Sequence, residues 1–200
     1  MTEVAADQEA LIIQQRKEWG EILTGFECKN KYAILDQQGQ QLMMAAEVGS
    51  GILSRLFLKQ LRPWTIHVTD NDANMLLHIK RSFRFFFHEA EIQDAGGQVL
   101  GRIKRQWSWV RRIYKVFDAA GQERFTLFGP VLHPWTFNIL RGQQEMGKIT
   151  KKWSGLGKEI FTKADNFGLT YSAGLGDDEK DLLLGAVFLI DFVHFEQSNN

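Results

Sequence analysis

From Phe26 to Tyr171 apolar and polar residues alternate in short runs, and clusters containing Asp and Gly separate the runs. A period of two puts successive side chains on opposite faces of a sheet, so each run predicts a strand. Asp36-Gln-Gln-Gly39, Asp94-Ala-Gly-Gly97 and Asp118-Ala-Ala-Gly121 share the form D-x-x-G. Asp70-Asn-Asp-Ala-Asn74 and Arg141-Gly142-Gln143 stand where two more reversals are due. Asp hydrogen-bonds turn backbone and Gly accepts positive φ, so each cluster reverses the chain. About five hairpins then follow one another without a helical pattern between them, which predicts an antiparallel meander rather than βαβ units. Closure of about ten to twelve such strands into a barrel removes their exposed edges and leaves a wide interior.

One segment breaks this pattern. Leu182 to Val193, LLLGAVFLIDFV, is apolar almost all round, which marks a helix buried on every side. Its rise of about 18 Å falls short of a hydrocarbon core of about 30 Å, and Asp191 would be a further cost in lipid. A central helix over 178–196 is therefore expected to fill the barrel, with Leu184, Phe188 and Asp191 at core positions; a membrane span is the alternative. Residues 5–20 mix Ala, Leu and Ile with Gln, Lys and Glu and read as a short amphipathic helix. The expected organisation is an N-terminal helical or flexible arm over 1–23 and a barrel domain over 24–200.

Three return strands end alike, in Ile79-Lys-Arg-Ser-Phe83, Ile103-Lys-Arg-Gln-Trp107 and Ile149-Thr-Lys-Lys-Trp153. Alternation puts each isoleucine on one face with Arg81, Arg105 or Lys151 and with the aromatic that follows. A cation between two apolar groups, three times over, fits a snorkelling ring at one barrel end. With Arg111, Arg112 and Lys152 these cations form a candidate anionic headgroup site; ordinary solvated strand faces with cation–π packing are the alternative. Phe85 and Phe87 read as core, while Phe86 and Arg84 face the other way, toward lipid or a partner.

Composition narrows the partners. Lys and Arg number 24 and Asp and Glu number 24, so no global field attracts nucleic acid, and anion binding must come from local clustering. Cys28 stands alone, which excludes an internal disulfide or a thiolate-rich zinc site and suits a reducing, cytoplasmic compartment. The acidic, polar first residues do not form a secretory signal. Covalent catalysis finds no support: the five histidines lack metal-ligand spacing, although His67 and His78 face each other across one hairpin, and no nucleophile or phosphate-loop motif occurs. Glu89 and Glu91 share a strand face and read as solvent-facing.

Several strings resemble the phospholipid scramblase family. They are Gly147-Lys-Ile-Thr-Lys-Lys-Trp-Ser-Gly155, Phe161-Thr-Lys-Ala-Asp-Asn-Phe-Gly168 and Gly185-Ala-Val-Phe-Leu-Ile-Asp-Phe192, with Phe26-Glu-Cys-Lys-Asn-Lys-Tyr32, Ala45-Ala-Glu47, Arg62-Pro63 and Glu89-Ala-Glu-Ile92 upstream. The resemblance covers nearly the whole chain from about residue 24. It implies a twelve-stranded barrel around a C-terminal helix, shared with tubby proteins, and energy-independent movement of phospholipid between leaflets. The alternative it leaves open is an anionic-lipid-binding adaptor or regulator without transport. Either role implies a protein peripheral to or inserted in a membrane. The family's calcium segment maps onto residues 163–174, with Asp165, Asn166 and Phe167 as candidate ligands. Lys163 and Gly174 replace acidic positions there, so weak or absent Ca²⁺ affinity is expected, unless Asp177, Asp178 and Glu179 supply the missing charge. The family's palmitate-bearing cysteines are absent from Ser82-Phe-Arg-Phe-Phe-Phe-His88, and no proline precedes Pro63.

Overall fold

A computed structural model describes residues 9–16, 30–48, 63–82, 88–151 and 166–195 of the chain. In chain order the strands are β1 (Ala10–Arg16), β2 (Lys31–Leu35), β3 (Gln41–Val48), β4 (Trp64–Asp70), β5 (Met75–Arg81), β6 (Glu89–Asp94), β7 (Val99–Gln106), β8 (Arg112–Asp118), β9 (Glu123–Gly129), β10 (Thr136–Arg141), β11 (Gln144–Lys151) and β12 (Asn166–Tyr171). Each pairs antiparallel with its chain neighbour, and β1 closes the ring against β12, with Leu11 opposite Leu169 and Ile13 opposite Phe167. A single described helix, α1 (Asp177–His194), follows β12. The predicted closed barrel and core helix are thus observed.

The N-terminal helix is not. Ala10–Arg16 is a strand, paired on both edges, so the barrel begins ahead of residue 24. Ala10, Leu11, Ile12 and Ile13 are all buried. A strand covered on both faces has no polar side to alternate with, and a continuous apolar run of this length fits either periodicity.

Every residue of α1 from Glu179 to Val193 is buried, as its uniform apolar surface requires. Phe188 meets the Tyr32 ring edge-on at 5.1 Å, and Phe192 stacks on Trp64 at 4.5 Å. Gly185 brings the helix onto β6: a Cβ there would lie 2.6 Å from Ile92 Cγ1. No helix among the described residues is long and apolar enough to cross a membrane.

Alternating strand directions give the barrel two unlike ends. The hairpin end carries the five tight turns and the first turn of α1; the open end carries the other connections and the last turn of α1. At the hairpin end Asp36, Asp70, Asp94 and Asp118 each accept, through Oδ1, the N–H of the residue four positions on, at 2.8–2.9 Å. Gly39, Gly97 and Gly121 take φ of 82°, 85° and 79° in three of these turns, while Ala73 takes 64° at the same place in the fourth. Glu179 fastens the helix there, accepting Arg124 at 2.6 Å, Arg141 at 2.8 Å and the Gly176 N–H at 3.3 Å.

Two stability outcomes follow from these contacts. Ala73→Gly relieves a left-handed L-residue and is expected to stabilise by about 1 kcal/mol, read as a higher urea midpoint with unchanged slope. Gly185→Leu forces the helix off β6 and is expected to destabilise by about 1–3 kcal/mol in the same assay.

Candidate functional site

The open end is floored by polar side chains that point into the barrel. Arg81, Arg105 and Lys151 share the inward face of Ile79, Ile103 and Ile149, as the sequence predicts, but this makes Arg81 and Lys151 interior groups and leaves Arg105 half-buried. Arg81 is 3% exposed and Lys151 6%. The Lys151 ammonium lies 3.8 Å from the Asp191 carboxylate, over the Phe167 and Phe195 rings at 5.3 and 4.4 Å. The Tyr32 hydroxyl donates to the same carboxylate at 2.9 Å. Asp191 thus ties α1 to β2 and β11, whereas Leu184 and Phe188 serve the apolar core.

Imidazoles share this floor. His88 Nδ1 is hydrogen-bonded to Arg81, and His194 Nε2 to the Tyr114 hydroxyl at 2.8 Å. Burial, then the Arg81 and Arg105 charges, push the His88 pKa down to about 4. Burial, then Arg105, Arg112 and His88, push His194 down to about 3. Burial raises the Tyr114 phenol, so both rings are neutral and Tyr114 is protonated at pH 7.

Above the floor stand two neighbouring loops. Trp107, Trp109, Val110, Val131, Leu132 and Trp135 are the exposed large hydrophobic residues among those described, and all belong to the β7–β8 and β9–β10 connections. Trp109 is 87% and Leu132 88% exposed. Their backbones are held: Ser108 Oγ accepts the Arg111 N–H at 3.1 Å, and the Trp107 and Trp109 rings meet edge-on at 5.1 Å. Arg112 clamps one loop to the other, donating to the carbonyls of Pro130 at 3.2 Å, His133 at 3.3 Å and Pro134, with its guanidinium 4.7 Å from the Phe137 ring. Arg111 is exposed beside Phe128.

The predicted headgroup cations therefore divide. Arg111 faces solvent, Arg112 is a loop clamp, Arg105 is half-buried, and Arg81 and Lys151 are interior; Lys152 lies outside the described residues, as do Arg84 and Phe83–Phe87. Trp107 leaves β7 and is 68% exposed, so it does not flank Arg105 on the strand face. The tryptophan loops went unnoticed in the sequence. The available signal was large apolar residues inside connections that lack the D-x-x-G form.

Elsewhere the side chains have ordinary partners. Glu89 faces Lys104 at 3.7 Å and Glu91 faces Arg102 at 3.1 Å, a pair of surface ion pairs. His67 and His78 do oppose each other, rings 4.8 Å apart. In the calcium segment, Asp165 lies outside the described residues, Asn166 is 1% exposed and Phe167 turns its ring into the core. Asp177 to Glu179 lie at the far end of β12, roughly 17 Å of strand away, and Glu179 is engaged by two arginines. Among the described residues no group of three or more His, Cys, Asp or Glu side chains gathers where a metal ion could be held.

Charge separates between the two ends. Asp36, Asp70, Asp94, Asp118, Asp177 and Asp178 sit at the hairpin end. At the open end the described residues 105–112 and 129–136 contain three arginines and no carboxylate; of the carboxylates described there, Glu47 and Asp191 are buried and Glu89 is half-buried beside Lys104. These features define a helix-filled antiparallel barrel with one end tipped, among the described residues, by tryptophan loops that carry arginine and no carboxylate. The scramblase family model matches residues 1–197, and the chain belongs to that family. It is 31% identical over 212 residues to phospholipid scramblase 1 of Mus musculus, covering 99% of this chain and 64% of that protein. It is 30% identical over 210 residues to phospholipid scramblase family member 5 of Homo sapiens, covering 98% and 77%. Phospholipid scramblase 2 of Bos taurus is 31% identical over 202 residues, covering 94% and 69%. No solved structure matches the chain.

The imidazoles give the fold a pH dependence. Unfolded histidines bind protons below about pH 6.5, but the folded His88 and His194 do not until about pH 4 and 3. The unfolded chain binds more protons in that window, so stability is full above pH 6.5 and falls as pH falls. Burial raises Asp181 to about 6, which acts oppositely in any variant that retains it. Urea midpoints at pH 7 and pH 5 are expected to drop more for the wild type than for a His88→Gln/His194→Gln variant.

Proposed function

We propose that the chain acts on phospholipid at an anionic membrane surface and takes part in energy-independent lipid movement between leaflets. One observation carries the reading: among the described residues of a net-neutral chain, the exposed large apolar side chains gather at one end, in two loops that hold the exposed Arg111 and no carboxylate, and the turn aspartates lie at the other end. The names of its relatives support the lipid class. In this reading Arg111, and the rim around Arg105, meet headgroup phosphates, each basic group near an acidic leaflet contributing on the order of 1 kcal/mol. Arg81 and Lys151 support that rim from within. The protein then works from the cytoplasmic side, peripheral to the membrane, with no covalent chemistry.

A second reading, a lipid-binding regulator without transport, is favoured by the filled barrel. With α1 occupying the interior, the barrel axis offers no polar path for a headgroup.

Vesicle flotation and a fluorescent-lipid exchange assay separate the two. Binding to phosphatidylserine-containing vesicles is expected to exceed binding to phosphatidylcholine vesicles and to weaken with salt. Arg111→Glu is expected to weaken it roughly tenfold. Equal binding to both vesicle types would defeat the lipid reading; salt-sensitive binding without exchange would establish the regulator.

A further inference from the structure

We infer that the β7–β8 and β9–β10 loops form one membrane-inserting wedge that seats the open end on an anionic bilayer, with the hairpin end turned to solution. The inference rests on the lipid reading above and assigns it to a surface.

Three observations carry it. The apolar side chains stand at the tips of two adjacent loops, with Trp109 and Leu132 87% and 88% exposed. Such tips enter an acyl region whose molecules part around them, and tryptophan suits the boundary where one edge is apolar and the other wet. Next, the wedge is prebuilt. The Arg112 guanidinium holds the carbonyls of Pro130, His133 and Pro134, so the two tips move as one body and little order remains to be gained on binding. Finally, charge complements the occupant. Arg111 sits at the base of the first tip, no carboxylate occurs in either loop, and the exposed turn carboxylates lie at the opposite end. An anionic leaflet therefore attracts the wedge and repels the hairpin end, which fixes orientation. A protein partner would meet the same tips without a reason for this polarity.

The test places an environment-sensitive dye at Leu132→Cys, and separately at Gln38→Cys in a hairpin turn, each in a Cys28→Ser background. Phosphatidylserine-containing vesicles are added in each case. The dye at position 132 is expected to shift to the blue and to be quenched by lipids carrying a shallow nitroxide, while the dye at position 38 is unchanged. Trp109→Ser/Leu132→Ser is expected to keep the wild-type melting curve and to lose about tenfold or more in vesicle partitioning.

Wild-type binding with no change at position 132 and full binding by the double variant would overturn the wedge while leaving the lipid reading standing. Failure of the wild type to bind any anionic vesicle would overturn both. A shift at position 132 that follows protein concentration without vesicles would make the tips an interface between copies and overturn the inference.

Discussion

The structure depends on enclosing a helix that has no polar face. From Leu182 to Ile190 α1 presents apolar atoms or a glycine in every direction, so a single covering layer cannot bury it and a closed wall can. Twelve strands supply that wall, and it needs β1, whose pairing with both β2 and β12 removes the last free edges. The helix is fixed along its axis by polar contacts at its ends. Glu179 reaches Arg124 and Arg141 at one end, and Asp191 reaches Lys151 and Tyr32 at the other. A buried ion pair adds little net stability but resists sliding or rotation, because moving either partner leaves an uncompensated charge.

That enclosure directs function to the rim. An interior occupied by α1 leaves the two ends as the places where chemistry can differ, and they differ in charge, apolarity and loop length. The hairpin end is built from repeated Asp-headed turns and is accordingly acidic. The open end gathers the longer connections, and beneath them Arg81 is held by His88 and Lys151 by Asp191. Lipid contact at this end needs no unfolding of the core: the tryptophan loops already stand clear of it, clamped by Arg112.

The barrel was legible because its turns carry a chemical signature. An Asp at the start and a Gly at the fourth position mark three hairpins outright, and Asp70 keeps the fourth recognisable although Ala73 replaces the glycine. The core helix was legible because its hydrophobicity has no period. β1 was not, since burial on both faces removes the alternation that identifies a strand. The inward ring of Arg81, Arg105 and Lys151 was placed on the right face, yet its reading as a surface site failed for two of the three. A strand pattern tells which residues share a face but not whether a partner such as Asp191, forty residues beyond Lys151 in the chain, waits on that side. The tryptophan tips were missed because loop exposure has no periodicity at all.

The most direct measurement of the account is hydrogen exchange along the whole chain, with and without phosphatidylserine-containing vesicles. Residues 179–193 are expected to be strongly protected in solution and to keep that protection on vesicles, while 106–111 and 130–135 gain it. Loss of protection in 179–193 when vesicles are added, with the loops unchanged, would mean that the helix leaves the barrel for the bilayer and would contradict the account.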